Sequence, residues 1–165
     1  MNKYLTVVLI GLMLVNCNTQ VKRVLESEIL KKGDLIIYEN ELFTGIVYSV
    51  YDNRQFESET NYKDGIKDGL SRGWHESGQL WSESNYKDGK VDGLYREWYE
   101  NGHLEVELNF KDDKLDGLWR EWHKNGQLRF EWNYKNGKKD GLLKAWYKSG
   151  QLRYEENWKD GVQID

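Results

Sequence analysis

Residues 86–109, YKDGKVDGLYREWYENGHLEVELN, decide the fold. The stretch holds two triplets of one kind, Lys87-Asp88-Gly89 and Glu100-Asn101-Gly102. An Asn or Asp followed by Gly closes a β-hairpin, because both residues tolerate a positive φ. Between the triplets apolar and polar residues alternate with period two, which is a strand pattern and not the 3.6-residue pattern of a helix. With three-residue loops Trp98 faces Leu104, and Leu94, Arg96, Trp98, Leu104, Val106 and Leu108 share one face. Tyr95, Glu97, Tyr99, His103, Glu105 and Glu107 then fall on the other, a cleaner separation than two-residue loops allow. Ser77 and Ser149, which precede Gly78 and Gly150, also suit a longer loop, since Ser takes a positive φ poorly.

The same pattern recurs at a period of 24 residues. Residues 62–85, 86–109, 110–133 and 134–157 align without a gap, 38–61 reads as a worn copy, and 158–165 begins a further unit. Self-similarity at a fixed period marks a repeat architecture whose units bury themselves against their neighbours. The expected fold is therefore all-β: an elongated antiparallel meander of 24-residue hairpins in one curved sheet of about ten strands. Residues 21–32, VKRVLESEILKK, carry apolar side chains at 21, 24, 25 and 29 and read as a short amphipathic helix that caps the N-terminal edge strand.

The recurring Asp-Gly-Leu-x-x-x-Trp-Tyr/His-x-Asn-Gly-x-Leu pattern, as in Asp92-Gly93-Leu94 to Trp98-Tyr99 and Asn101-Gly102 to Leu104, resembles the bacterial variant of the MORN repeat, including the MORN-variant antitoxins of toxin-antitoxin systems. The resemblance covers residues 38–165. It implies a noncatalytic scaffold or binding module and carries no catalytic residues, since sites are grafted onto a repeat platform.

Composition narrows the function further. The 165 residues include 24 Lys and Arg against 28 Asp and Glu, a net charge of -4, which disfavours binding to nucleic-acid phosphates. Apolar residues make up 38% of the chain and aromatic residues 14%, so Trp and Tyr carry most of the burial. One Cys and three His leave no basis for a disulfide framework or a multi-Cys metal site, and no cofactor is expected. No nucleophile elbow, P-loop or His-Glu-x-x-His is present, and an enzyme is not expected.

The N-terminus reads as an address. Met1 to Lys3 is a short basic start, and Tyr4 to Val15 is an apolar run with the length of a signal-peptide h-region. The run ends at Leu14-Val15-Asn16-Cys17, which resembles the lipobox of bacterial lipoproteins, with Asn16 where that motif usually has a small residue. The expected organisation is a signal peptide over 1–16, a lipid-attachment Cys17 and linker over 17–37, and the repeat domain over 38–165. Cys17 would tether the protein at the bacterial cell envelope, at the outer membrane and periplasm or on the cell surface.

Trp74, Trp98, Trp122 and Trp146 stand one period apart with Arg72, Arg96 and Arg120 beside them, and this row is the candidate binding face. It reads first as core on the apolar face shared with Leu70, Leu94, Leu118 and Leu142, and second as a platform for a protein partner or a second copy. A glycan or an anionic lipid headgroup is the remaining candidate for it. Glu59, Glu83, Glu107, Glu131 and Glu155 form a carboxylate ladder placed, with the recurrent Asn, on the opposite polar face. Asp64, Asp68, Asp88 and Asp92 read as turn chemistry, not as a calcium loop. His75 and His123, in the slot of Tyr99 and Tyr147, read as a surface position. The functional expectation is an envelope-anchored interaction module, with neutralisation of a toxin, or glycan or lipid binding, as its rivals.

Overall fold

The computed structural model describes residues 21–164; the expected signal peptide over 1–16 and Cys17 lie outside them. The expected meander is present. Strand β1 is Arg23–Leu25, β2 Leu30–Lys32, β3 Leu35–Tyr38, β4 Glu41–Leu42, β5 Gly45–Val50, β6 Phe56–Lys63, β7 Ile66–Trp74 and β8 Leu80–Lys87. There follow β9 Lys90–Trp98, β10 Leu104–Lys111, β11 Lys114–Trp122, β12 Leu128–Lys135, β13 Lys138–Lys139, β14 Gly141–Trp146, β15 Leu152–Lys159 and β16 Val162–Ile164. From β5 onward every strand pairs antiparallel with the next, save that β12 pairs both β13 and β14.

The two turns of each repeat differ, which corrects the expectation of two three-residue loops. At Asp64-Gly65 both φ values are positive, 49° and 79°, and Lys63 pairs directly with Ile66. That is a two-residue mirror-type turn, whose twist matches the strands it joins. At Glu76-Ser77-Gly78 only the glycine is positive, at 84°, and His75 N–H donates to the Gln79 carbonyl at 2.8 Å across a three-residue loop.

Bulges absorb the resulting change of parity. Trp98 does face Leu104, as the three-residue loop requires, but Glu97 then pairs with Val106, so Glu105 is an extra residue. Beyond that point the assignment of faces inverts. Leu94, Arg96, Trp98, Leu104, Glu107 and Asn109 share one face, while Tyr95, Glu97, Val106, Leu108 and Phe110 share the other. Val106 and Leu108 therefore leave the face expected for them, and the carboxylate ladder moves from the opposite face onto that of the arginines. A second bulge falls at each Asp-Gly-Leu. Between Trp119 and Leu115 on β11 lie three residues, against the single Asn109 between Leu108 and Phe110 on β10.

The expected helix over 21–32 is two short strands around a single 3-10 turn, Glu26–Glu28. The run is too short and too charged to bury a helical face, whereas Val24 can enter the sheet. Capping of the edge takes place all the same: β1 pairs in parallel with β5, Val24 against Val47. Strands β2, β3 and β4 form a separate three-stranded sheet, so the segment before residue 38 is folded and not a plain linker. Val24, Ile36, Phe43 and Val47 make a compact core there, each at most 6% exposed. Elsewhere among the described residues, only Leu143 and Ala145 are buried apolar side chains.

Candidate functional site

The face that carries the candidate residues is built of three stripes that run across the strands. One alternates Trp with Leu: Trp74 opposite Leu80, Trp98 opposite Leu104, Trp122 opposite Leu128, Trp146 opposite Leu152. All four Trp are half-buried, and Phe56 packs on Trp74 with ring centroids 6.0 Å apart.

The second stripe alternates in charge. Glu59, Arg72, Glu83, Arg96, Glu107, Arg120, Glu131, Lys144 and Glu155 are successive cross-strand partners. Arg72 Nε donates to Glu83 at 2.9 Å, Arg96 to Glu107 at 2.8 Å and Arg120 to Glu131 at 2.7 Å. Arg23 extends the row by pairing with Glu59. Opposite charges directly across a ladder stabilise a sheet, and like charges there would destabilise it. Arg72, Arg96 and Arg120 are thus brought together with the Trp stripe, but their guanidinium groups are engaged by carboxylates.

In the third stripe Leu pairs with Asn, as in Leu70 with Asn85 and Leu94 with Asn109. The recurrent Asn is not simply a solvated strand residue. Asn61 Nδ2 donates to the Leu70 carbonyl at 2.7 Å, and Asn109 to that of Leu118 at 2.8 Å, so the amide replaces the ladder bond lost at the bulge. The intervening Gly117 has φ +116°, and a Cβ there would lie 3.0 Å from the Asn109 Cβ. A glycine inside a strand is the sequence signal of such a bulge.

Both margins of the sheet are latched from one repeat to the next. Asp68 accepts from Asp88 N–H at 3.2 Å, and Asp116 from Asn136 N–H at 3.0 Å. At the other margin Tyr51 and Tyr99 hydroxyls donate to the Trp74 and Trp122 carbonyls, at 2.7 and 2.8 Å, and His123 Nε2 reaches the Trp146 carbonyl at 3.3 Å. The Tyr/His slot is therefore an inter-repeat contact more than a mere surface position. The Lys111 ammonium hydrogen-bonds Asp92 and holds its carboxyl below the ordinary carboxylate value, as Lys159 does for Asp140. Burial, helped by a hydrogen bond to Glu97, pushes the Tyr95 phenol well above its ordinary value.

The reverse face holds an aromatic cluster. Trp119 stacks on Trp132 at 5.5 Å, Trp132 lies parallel to Tyr134 at 6.1 Å, and the Lys139 ammonium sits 3.8 Å above the Trp132 ring. Among the described residues no three His, Cys, Asp or Glu side chains converge as a metal site, and no helix is long and apolar enough to cross a membrane.

These features define a repeat protein whose units are single-layer β-hairpins latched to their neighbours. The family model of the MORN repeat variant matches residues 67–88, 91–112, 115–136 and 139–160, and the chain belongs to that family. No curated protein matches it.

Proposed function

We propose that the protein is a noncatalytic binding scaffold whose partner protein supplies the layer the sheet lacks. Domains are ordinarily two or more packed layers around a core. Here one observation supports the reading: outside the N-terminal cap the described residues form one layer, with its Trp and Leu stripes half-buried at most. The Trp74, Trp98, Trp122 and Trp146 stripe, bordered by Arg72, Arg96 and Arg120, is the surface assigned to that partner. Its even spacing, two strands or roughly 9.5 Å per repeat, suits an extended partner. The paired guanidinium groups make the stripe a weaker site for anionic headgroups than free cations would be.

The apolar run at residues 4–15 and its junction with Cys17 support attachment of the scaffold to the bacterial envelope through a lipidated Cys17. Native mass spectrometry of the full chain, released gently from its source membranes, tests both halves. A chain that begins at Cys17 with acyl mass, bound to a stoichiometric second protein and losing it in Trp98→Ala/Trp122→Ala, is expected. An unmodified chain that carries no partner, with the same mass distribution in the variant, overturns the reading.

A further inference from the structure

The face opposite the charge ladder does not repeat. The position of Ser71 is Tyr95, Trp119 and Leu143 in the later copies, that of Ser84 is Leu108, Trp132 and Glu156, and that of Ser82 is Val106, Phe130 and Tyr154. One backbone thus bears large side chains over its C-terminal half and hydroxyls over its N-terminal half. Ser49, Ser58, Gly73 and Ser82 are successive partners across β5 to β8, with Thr60, Ser71 and Ser84 in the neighbouring row. The consequence is an open trough of about 520 Å³ floored by hydroxyls. Trp81 and Tyr95 wall it, and Glu26 from the 3-10 turn and Glu57 add carboxylates.

Two details show that the trough is built. Trp81 is the extra residue of its bulge and lies across Gly73, where a Cβ would come within 2.6 Å of the indole nitrogen; only glycine admits that pose. Ser84, 8% exposed, is the one buried polar residue among those described. Its side chain lines the trough.

We infer that this trough is a binding site for a neutral saccharide of one or two rings. Hydroxyls both donate and accept, so a hydroxyl floor complements the hydroxyl groups of a sugar. An indole wall takes the apolar face of a pyranose. The lining includes two carboxylates and one cation, Arg72, whose guanidinium is engaged by Glu83 at 2.9 Å, which disfavours an anionic ligand, and the volume falls in the range of small-molecule sites. The site is distinct from the Trp stripe on the other face and does not depend on the scaffold reading.

Titration of the full chain with cellobiose and with the disaccharide of N-acetylglucosamine, read by NMR at the Trp81 indole N–H, tests the assignment. Saturable shifts with at least one of them are expected, at affinities in the millimolar range or tighter. Ser71→Tyr/Ser84→Leu, which installs the side chains of the following repeat and so keeps the fold, is expected to weaken binding at least about tenfold, as is Trp81→Glu, the residue type of the next bulge. No shift with either disaccharide, or shifts that persist in the filled variant, overturns the proposal. Shifts produced only by a trilysine peptide overturn it as well, and assign the trough to a basic partner.

Discussion

Arg96 Nε donates to Glu107 Oε2 at 2.8 Å across β9 and β10, while its Nη1 stands 4.0 Å from Glu83 on the strand behind. Each guanidinium in the middle of the sheet is therefore shared between two carboxylates, and each carboxylate between two cations. Glu107, with a side chain only 17% exposed, also lies 3.7 Å from Arg120 Nη1. Glu107→Gln is expected to cost about 1 kcal/mol, more than an isolated surface pair would. Denaturant unfolding of Glu107→Gln, Arg96→Gln and the double variant should give a coupling of roughly 0.5–1 kcal/mol that shrinks with added salt.

Glycines at different positions of the repeat are not equivalent. Gly117 sits at φ +116° against Asn109, whereas Gly137 at φ +79° has nothing near its Cβ direction. The corresponding turn one repeat earlier already holds Asp113 at φ 63°. Gly117→Ala should cost about 2–3 kcal/mol through backbone strain and contact, and Gly137→Asp under about 1 kcal/mol. Thermal unfolding of the two variants checks the order.

Removing the bulge amide without touching the glycine separates the two effects. Asn109→Ala leaves the Leu118 carbonyl without its 2.8 Å donor. A loss of about 1 kcal/mol is expected, with faster amide hydrogen exchange confined to β10 and β11.

Stability should fall at both ends of the pH scale. Asp92 and Asp140 have depressed carboxyl pKa values in the folded chain because Lys111 and Lys159 hydrogen-bond them. Their contribution is present above the unfolded carboxylate pKa of about 3.9 and is lost as pH drops through the lower folded values. Tyr62, Tyr95 and Tyr134 have raised values because burial opposes the phenolate. Above about pH 10 the unfolded chain releases protons that the folded chain keeps, so stability declines there. Unfolding free energy against pH, with phenolate absorbance in parallel, checks both limbs.

Phe43 is 3% exposed in the one compact apolar cluster near the N-terminal edge. Phe43→Ala should cost about 3–5 kcal/mol, and hydrogen exchange should show β1 to β5 opening ahead of the central strands.

The hairpins, their period and the opposition of Trp98 and Leu104 were legible because turn residues and two-residue alternation act locally. The inversion of faces was not, because it follows from a bulge at Glu105 and another at Asp116-Gly117-Leu118, each adding residues to one strand alone. Alternation counted along the chain cannot register a residue that breaks it. Glycine within strands, at 69, 93, 117 and 141, was the available mark. The serine trough was hidden for a different reason: attention to what recurs passes over positions that vary, and Ser71, Tyr95 and Trp119 have nothing in common but their place on the backbone. The residues at 21–32 misled because charged, apolar-spaced short runs fit a helix turn and a bent pair of strands equally well.

The latches at the two margins join residues about one period apart, Asp68 to Asp88 on one side and Tyr99 to Trp122 on the other. Among the described residues no contact of that kind reaches past the adjacent unit. The molecule consequently behaves as a ruler with identical graduations: duplicating a 24-residue unit would extend it by two strand spacings, roughly 9.5 Å, and leave every other joint as it was. Its reach is a matter of copy number alone, and a partner that must be spanned can be matched by counting.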